Sequence, residues 1–168
     1  MPETLSPALP DALDARVEAL LQAVCRRDLR LATAESCTGG LLASLLTDVT
    51  GCGHAFERGF VTYTDAAKHE LLGVPRALLK DPGAVSEAVA RAMAEGAIAH
   101  SGADIALSVT GYAGPGGPDA VPGLVHFASA VRGGPTRHQR RRFKETDRAG
   151  VRLRCIEVAL DMLEERLD

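Results

Sequence analysis

The feature that most constrains this chain is a short apolar run that leads through a glycine pair directly into a helix. Residues 29–34 form a mostly apolar run typical of a buried strand, and leucine and valine recur at helical spacing over residues 41–49. Gly39 and Gly40 stand at the start of this helix, where the missing Cβ allows backbone or a ligand to approach closely. A strand followed at once by a helix is the repeating unit of an α/β fold.

Apolar residues at intervals of three or four positions predict the other helices. These are expected over residues 11–27, 66–72 and 87–100, with a closing helix from about Asp147. Asp65 is expected to cap the second of them, and Ser86 the third, because both side chains can accept a hydrogen bond from a free helix amide.

Further strands are predicted from short apolar or β-branched runs at residues 56–64, 105–110, 124–131 and 138–143. The last two are expected to form a hairpin around residues 133–135. Strands alternate with helices before this hairpin, so the sequence predicts a three-layer α/β/α sandwich with a mixed sheet. The length of 168 residues fits one domain, expected over residues 11–168 after a tail of residues 1–10.

Composition and charge narrow the class of protein. Hydrophobic residues make up 46% of the chain, which is enough for an ordinary core, and the formal net charge of −3 gives no reason to expect nucleic acid or an anionic membrane as a partner. No apolar stretch approaches the roughly 20 residues of a membrane span, and the N-terminus lacks the pattern of a signal peptide. We therefore expect a cytoplasmic protein without membrane association.

The chain nevertheless contains one cluster of basic residues. It comprises Arg137, Arg140, Arg141, Arg142 and Lys144. Positive side chains along an exposed strand protect a sheet edge from aggregation, which is the favoured interpretation. Contact with phosphate or RNA is the alternative.

The cysteines and histidines predict no metal site. Four cysteines are irregularly spaced without a CxxC pair, so neither a zinc site nor a disulfide framework is expected. Five histidines show no HxH or HExxH spacing. We expect reduced thiols and no cofactor.

Chemically capable residues cluster at three strand ends, where ligands collect in open α/β sheets. The segments are residues 34–40, 63–68 and 108–117. In the first, Ser36 lies between a strand and a helix N-terminus, a position that suits a phosphate, the oxyanion of acyl transfer, or a simple helix cap. Cys37 is the rival nucleophile. Glu35 is a candidate general base or ligand-binding carboxylate, or else a carboxylate facing the helix.

Lys68 and Tyr63 occupy the second segment. The pattern alone favours a solvated lysine, whereas a functional lysine would have to be neutral so that it could accept a proton from a hydroxyl. The Tyr63 phenol could reach the same cleft or belong to the core. The glycine-rich loop after Thr110 is no Walker A motif, and could cradle a phosphate or only connect two elements. A Ser-His-Asp triad is not excluded, although no GxSxG elbow exists.

Four motifs, in order along the chain, resemble the C-terminal domain of CinA, the nicotinamide-nucleotide amidase family. They are residues 33–40 (TAESCTGG), 56–63 (FERGFVTY), 84–87 (AVSE) and 110–115 (TGYAGP). The resemblance runs from about residue 11 to the end, with no sign of the N-terminal domain of full-length CinA. It departs from the family pattern in a short segment between Gly117 and Gly123, and in Thr146 where relatives often have glycine.

The resemblance implies hydrolysis of nicotinamide mononucleotide to nicotinate mononucleotide and ammonia, by a serine and a lysine without a metal. The implied catalytic residues are Ser36, Lys68, Tyr63, Thr110 and Arg148. The implied substrate-binding residues are Glu35, Cys37, Thr38, Gly39, Gly40, Gly111, Ala113, Gly114 and Arg152. Arg152 is also the alternative to Arg148, and association into a homo-oligomer is expected.

Two other functions stay open at this point. One is a nucleotide-binding module without catalysis, connected with competence or DNA damage. The other is an amidase that acts on a different carboxamide.

Overall fold

The structure is a computed structural model, which describes residues 10–144 and 147–168. Its helices are α1 (Asp11–Arg26), α2 (Leu41–Leu46), α3 (Asp65–Leu72), α4 (Arg76–Leu78), α5 (Glu87–Ala99) and α6 (Arg148–Glu164). Its strands are β1 (Leu31–Glu35), β2 (Phe56–Val61), β3 (Ile105–Gly111), β4 (Leu124–Val131) and β5 (Arg137–Arg142). Apart from Pro10, the predicted N-terminal tail lies outside the described residues.

The five strands form one sheet in the order β2-β1-β3-β4-β5. β1 is parallel to β2 and β3, whereas β4 is antiparallel to β3 and β5. The predicted α/β/α sandwich with a mixed sheet is therefore confirmed. So is the hairpin, whose second strand is an edge strand with four exposed residues out of six.

Alternation along the strands divides the core into two parts. Leu31, Leu107 and Val109 face the larger core, to which α1, α2 and α6 contribute. The intervening residues Ala32 and Ala106 face the second core, which includes residues from α3 and α5. Alanine on this face lets the alanine-rich α5 approach the sheet closely.

Helix caps confirm one prediction and correct another. The side chain of Ser86 accepts a hydrogen bond from the amide of Val89 at the start of α5, as predicted. α3 begins one residue earlier than predicted, and its N-cap is Thr64 rather than Asp65. Thr64 has the extended backbone that an N-cap requires, and its hydroxyl accepts from the amide of Ala67, so Asp65 belongs to the first turn.

Two predicted elements are shorter in the structure. β2 ends at Val61 instead of residue 64, and α2 ends at Leu46 instead of residue 49. The early end of β2 leaves residues 62 and 63 in a connection whose carbonyl groups serve the site described below. None of the described helices combines the length and apolar character that crossing a membrane requires.

Candidate active site

The side chains of Ser36 and Lys68 meet at the carboxyl end of β1. Ser36 directly follows the last residue of this strand, and Lys68 lies in the first turn of α3. The Nζ atom of Lys68 is 3.1 Å from Oγ of Ser36. Ser36 is 7% exposed and Lys68 only 1%. The structure thus brings together the two residues that the sequence singled out as nucleophile and base.

Lys68 is surrounded by uncharged acceptors. Its Nζ also contacts the carbonyl oxygens of Thr62, at 2.9 Å, and Tyr63, at 3.3 Å, and it forms no ion pair within the described residues. Burial lowers the pKa of Lys68, while Asp65 and Cys37 act more weakly in the opposite direction. The three oxygens around Nζ match the three N–H groups of an ammonium, and they equally match the two N–H groups of a neutral amine whose lone pair accepts from the hydroxyl of Ser36.

The loop after β1 leaves two backbone amides open. The amide of Ser36 donates to the carbonyl of Val109, and that of Gly39 donates to the carbonyl of Ser36. Within the described residues, the amides of Cys37 and Thr38 donate to no oxygen. These two groups are therefore the ones available to a negatively charged oxygen beside Ser36.

The side chain of Glu35 is buried and points toward the start of α2. It is 0% exposed. Its carboxylate accepts hydrogen bonds from the amides of Gly40 at 3.1 Å, Leu42 at 3.1 Å and Ala43 at 2.8 Å. The carboxylate therefore faces the start of α2, one of the orientations that the sequence left open, and its expected contact with substrate stays a prediction.

The side chains of Cys37 and Thr38 are also turned inward. The Cys37 thiol packs in the larger core, where its hydrogen bond with the thiol of Cys155 lowers the pKa of Cys37 and raises that of Cys155. The hydroxyl of Thr38 is buried and has no hydrogen-bond partner. The backbone amides of these two residues are the groups that a ligand could contact, and their expected place in substrate binding stays a prediction.

Tyr63 and Thr110 lie near the dyad, but among the described residues their side chains form no hydrogen bond with Lys68. Tyr63 is 67% exposed and reaches Lys68 only through its carbonyl oxygen. The buried hydroxyl of Thr110 donates to the carbonyl of Ala84 at 2.8 Å. Their expected role in orienting Lys68 or relaying protons stays a prediction.

The two candidate arginines lie one turn apart on α6 and reach different loops. The guanidinium of Arg148 lies over Gly114, where an added Cβ would be 3.0 Å from Nη2. Arg152 donates from Nη2 to the carbonyl of Thr38 at 2.9 Å, and its Nε is buried without a partner. Arg148 therefore faces the glycine-rich loop after Thr110. Arg152 contacts the loop of residues 36–40 after β1, which we call the serine loop.

A cleft of about 520 Å³ opens beside Arg148. It is lined by Ala113, Gly114, Pro115, Pro122, Gly123, Arg142, Phe143, Lys144, Asp147, Arg148 and Val151. Three of these residues are cationic, and none of the three forms an ion pair within residues 10–144 and 147–168. The sequence predicts Arg142 and Lys144 in a basic cluster along an exposed strand. In the structure both residues lie at or just after the end of β5, where they line this cleft.

The glycines named as binding residues have backbone functions. Gly39 and Gly40 have positive φ angles of 61° and 93°, which disfavour other residues. A Cβ on Gly111 would lie 2.7 Å from the carbonyl oxygen of Leu124 in the neighbouring strand. Close packing thus accounts for Gly111 without a ligand.

A polar cluster that the sequence did not indicate lies outside the site. Nδ1 of His126 is 3.0 Å from Nε2 of His138, and Nδ1 of His138 is 3.5 Å from a carboxylate oxygen of Glu87. Burial is the main cause that lowers the pKa of both histidines. In the described part of the chain, no group of three or more His, Cys, Asp or Glu side chains could hold a metal ion.

Known proteins resemble this chain in sequence. The family model of the CinA C-terminal domain matches residues 13–167. A protein from Enterobacter agglomerans named nicotinamide-nucleotide amidohydrolase PncC is 48% identical over 129 residues, which cover 76% of this chain and 78% of that protein. A putative competence-damage inducible protein from Symbiobacterium thermophilum is 51% identical over 165 residues, covering 89% of this chain but 38% of that protein. A CinA-like protein from Akkermansia muciniphila is 58% identical over 116 residues, which cover 68% of this chain and 28% of that protein.

Solved structures show the same fold. The competence/damage inducible protein CihA from Agrobacterium tumefaciens superposes with a TM-score of 0.90 at 40% identity, over 94% of this chain and 96% of that one. A CinA superfamily protein from Klebsiella pneumoniae superposes with a TM-score of 0.86 at 37% identity, over 92% of this chain and 97% of that one. By sequence and by fold, this chain belongs to the CinA C-terminal domain family.

Proposed function

We propose that this protein hydrolyses the carboxamide of nicotinamide mononucleotide to give nicotinate mononucleotide and ammonia. The observation that carries the proposal is the buried contact of 3.1 Å between Nζ of Lys68 and Oγ of Ser36, in which the lysine forms no ion pair within the described residues. The relative named nicotinamide-nucleotide amidohydrolase supports this substrate. Other relatives carry names that refer to CinA or to competence damage.

The first step is attack by Ser36. Neutral Lys68 accepts the hydroxyl proton through its lone pair, and Oγ forms a bond to the carboxamide carbon of the substrate. The carbonyls of Thr62 and Tyr63 hold the two N–H groups of Lys68, at 2.9 and 3.3 Å, and so direct the lone pair at Ser36. This orientation provides base catalysis without a histidine.

The amides of Cys37 and Thr38 are suited to bind the oxyanion of the tetrahedral intermediate. They are the two open donors of the serine loop, and the residue after a nucleophile commonly supplies one such donor. Each donor of this kind typically contributes about 3–4 kcal/mol to the stability of the transition state. Gly39 and Gly40 have the positive φ angles that the turn after these two residues requires.

Protons balance over the remaining steps. The Lys68 ammonium returns its proton to the leaving nitrogen as the C–N bond breaks, which releases ammonia and leaves an acyl group on Ser36. Lys68 then takes a proton from water, whose oxygen attacks the acyl carbon. When the C–O bond to Ser36 breaks, the same proton restores the serine hydroxyl, and the nicotinate product leaves.

The cationic cleft is suited to the phosphate of the substrate. A phosphomonoester carries close to two negative charges at neutral pH, and the cations Arg142, Lys144 and Arg148 line one recess without an ion-pair partner among the described residues. Arg148 lies one turn of α6, about 6 Å, from Arg152, which contacts the serine loop. A nucleotide could therefore place its phosphate in the cleft and its ring beside Ser36.

Ammonia release from nicotinamide mononucleotide, free nicotinamide and NAD tests the proposal. Replacement of either member of the dyad, Ser36→Ala or Lys68→Ala, should lower the rate by about a thousandfold or more and leave the protein folded. Lys80→Ala and Ser101→Ala are matched controls, because both residues lie outside the site, and both should keep full activity.

Four results would contradict the proposal. Near-normal activity in Lys68→Ala would show that Lys68 is not the base. Loss of activity in Cys37→Ala with full activity in Ser36→Ala would move the nucleophile by one residue. A wild-type protein that binds the nucleotide but never releases ammonia would favour the non-catalytic module, and faster release from another carboxamide would change the substrate.

A further inference from the structure

Glu35 is a buried charged group that the proposed reaction does not use. It is the last residue of β1 and immediately precedes Ser36. The carboxylate of Glu35 contacts the start of α2, whereas Oγ of Ser36 contacts Lys68 of α3. Glu35 is fully buried and forms no ion pair within the described residues.

Three amides at the start of α2 compensate this buried charge. Oε2 accepts from Gly40 and Leu42, each at 3.1 Å, and Oε1 accepts from Ala43 at 2.8 Å. Hydrogen bonds to a carboxylate are roughly twice as strong as neutral ones, and a buried charge is stable only when it is satisfied in this way. The carboxylate therefore ties the first turn of α2 to the end of β1.

The serine loop is therefore fixed by hydrogen bonds at both ends. At one end, the amide of Ser36 is bonded to Val109 of β3 at 2.9 Å. At the other end, Glu35 holds Gly40 and the residues after it. The loop between these anchors contains only residues 37–39, so its conformation has little freedom.

The same contacts decide which amides remain open. Glu35 occupies donors at the start of α2, so an anion cannot bind there. The amides of Cys37 and Thr38 stay without an oxygen acceptor beside Ser36. We infer that Glu35 is a positioning residue, which fixes Ser36 and the two oxyanion donors without touching the substrate; this inference rests on the proposed function.

Glu35→Gln tests the inference because it keeps the shape and removes one acceptor. If the amide oxygen takes the place of Oε2, the NH₂ group faces the amide of Ala43, and two donors then oppose each other. The start of α2 must shift to relieve this contact. A displacement near 1 Å typically costs about a hundredfold in rate, so we expect kcat to fall about 10- to 100-fold with little change in KM.

Asp104→Asn is the matched control. The carboxylate of Asp104 accepts from the backbone amide of Arg30 at 2.8 Å, at the opposite end of β1. The substitution is isosteric in the same way but remote from Ser36. It should lower the melting temperature without changing kcat.

A second readout separates this inference from the proposed function. A fluorophosphonate probe reacts with an activated serine and needs no particular carboxamide. Its rate constant for labelling Ser36 should fall in Glu35→Gln and stay unchanged in Asp104→Asn. If the wild-type protein were labelled but released no ammonia, the proposed substrate would be wrong, while the labelling rates would still test Glu35.

The result that overturns the inference is a Glu35→Gln protein that is less stable, like the control, but keeps the kcat and labelling rate of the wild type. If Glu35→Gln does not fold, Ala43→Pro removes the 2.8 Å donor from the other side and keeps the carboxylate. Unchanged labelling in that variant would equally show that the contact is only structural.

Discussion

The position of Lys68 depends on close contact between two helices, and Gly96→Ala tests this dependence. Gly96 lies in α5, where an added Cβ would be 2.0 Å from the carbonyl oxygen of Leu72 and 3.1 Å from its Cβ. Leu72 is the last residue of α3, one turn after Lys68. An added methyl group would therefore push on the helix that carries the proposed base.

The size of the displacement follows from these distances. Ordinary contact begins at 3.4 Å, so the separation must grow by 3.4 − 2.0 = 1.4 Å. A movement of this size in α3 would break the 3.1 Å contact between Lys68 and Ser36. Since misplacement by about 1 Å typically costs a hundredfold, we expect kcat to fall by about a factor of 100.

Gly96→Ala should lower the stability of the protein, although alanine has a higher helix propensity than glycine. Alanine in place of glycine at an uncrowded helix position stabilises by about 1 kcal/mol, whereas overpacking costs about 1–3 kcal/mol. We therefore expect a small net loss of stability in Gly96→Ala. Ammonia release measures kcat, and thermal unfolding measures stability.

Gly53→Ala serves as control, because an added Cβ at Gly53 meets nothing within 4 Å. It should leave kcat and stability unchanged. Wild-type kcat in Gly96→Ala, together with an equal or higher melting temperature, would refute the reasoning that close helix packing sets the position of Lys68.

Three further predictions concern charge. Asp65 raises the pKa of Lys68, so Asp65→Asn should lower that pKa further and move the acidic limb of the kcat/KM profile to lower pH; a shift to higher pH would contradict this. The pKa values of His126 and His138 are lowered in the folded protein, so the unfolded chain binds more protons and stability should fall as pH drops below about 6.5. In urea unfolding at pH 7.5 and 5.5, His126→Gln should lose less stability than the wild type, and an equal loss would exclude this cause. Arg142→Gln should raise KM for nicotinamide mononucleotide about tenfold but not for nicotinamide riboside, which lacks the phosphate; equal effects on both would remove Arg142 from phosphate binding.

Local patterns were sufficient to predict the elements of this fold. The spacing of apolar residues predicted α1 and α5, and the cap of α5 by Ser86 was confirmed because the donor and acceptor lie three residues apart. The hairpin of β4 and β5 was likewise confirmed, since a short turn brings its strands together. Boundaries that depend on packing were less accurate, as the early ends of β2 and α2 show.

Side-chain orientations at the site could not be obtained from local pattern. The sequence left Glu35 with several possible roles, and the structure turns it toward α2 because β1 and α2 pack against each other. The sequence placed Arg142 on an exposed edge, and the structure shows that the end of β5 borders the cleft. Each of these outcomes depends on neighbours that are distant in the chain.

The sequence by itself determined the order of the elements, the mixed α/β architecture and the resemblance that selects Ser36 and Lys68. Only the tertiary structure decided that a lysine separated from the serine by 32 positions lies 3.1 Å from it. It also decided that this lysine is buried among carbonyl groups rather than solvated on its helix. The physical reason is that the protonation of a lysine depends on desolvation and neighbouring charges, which arise only when distant segments pack together.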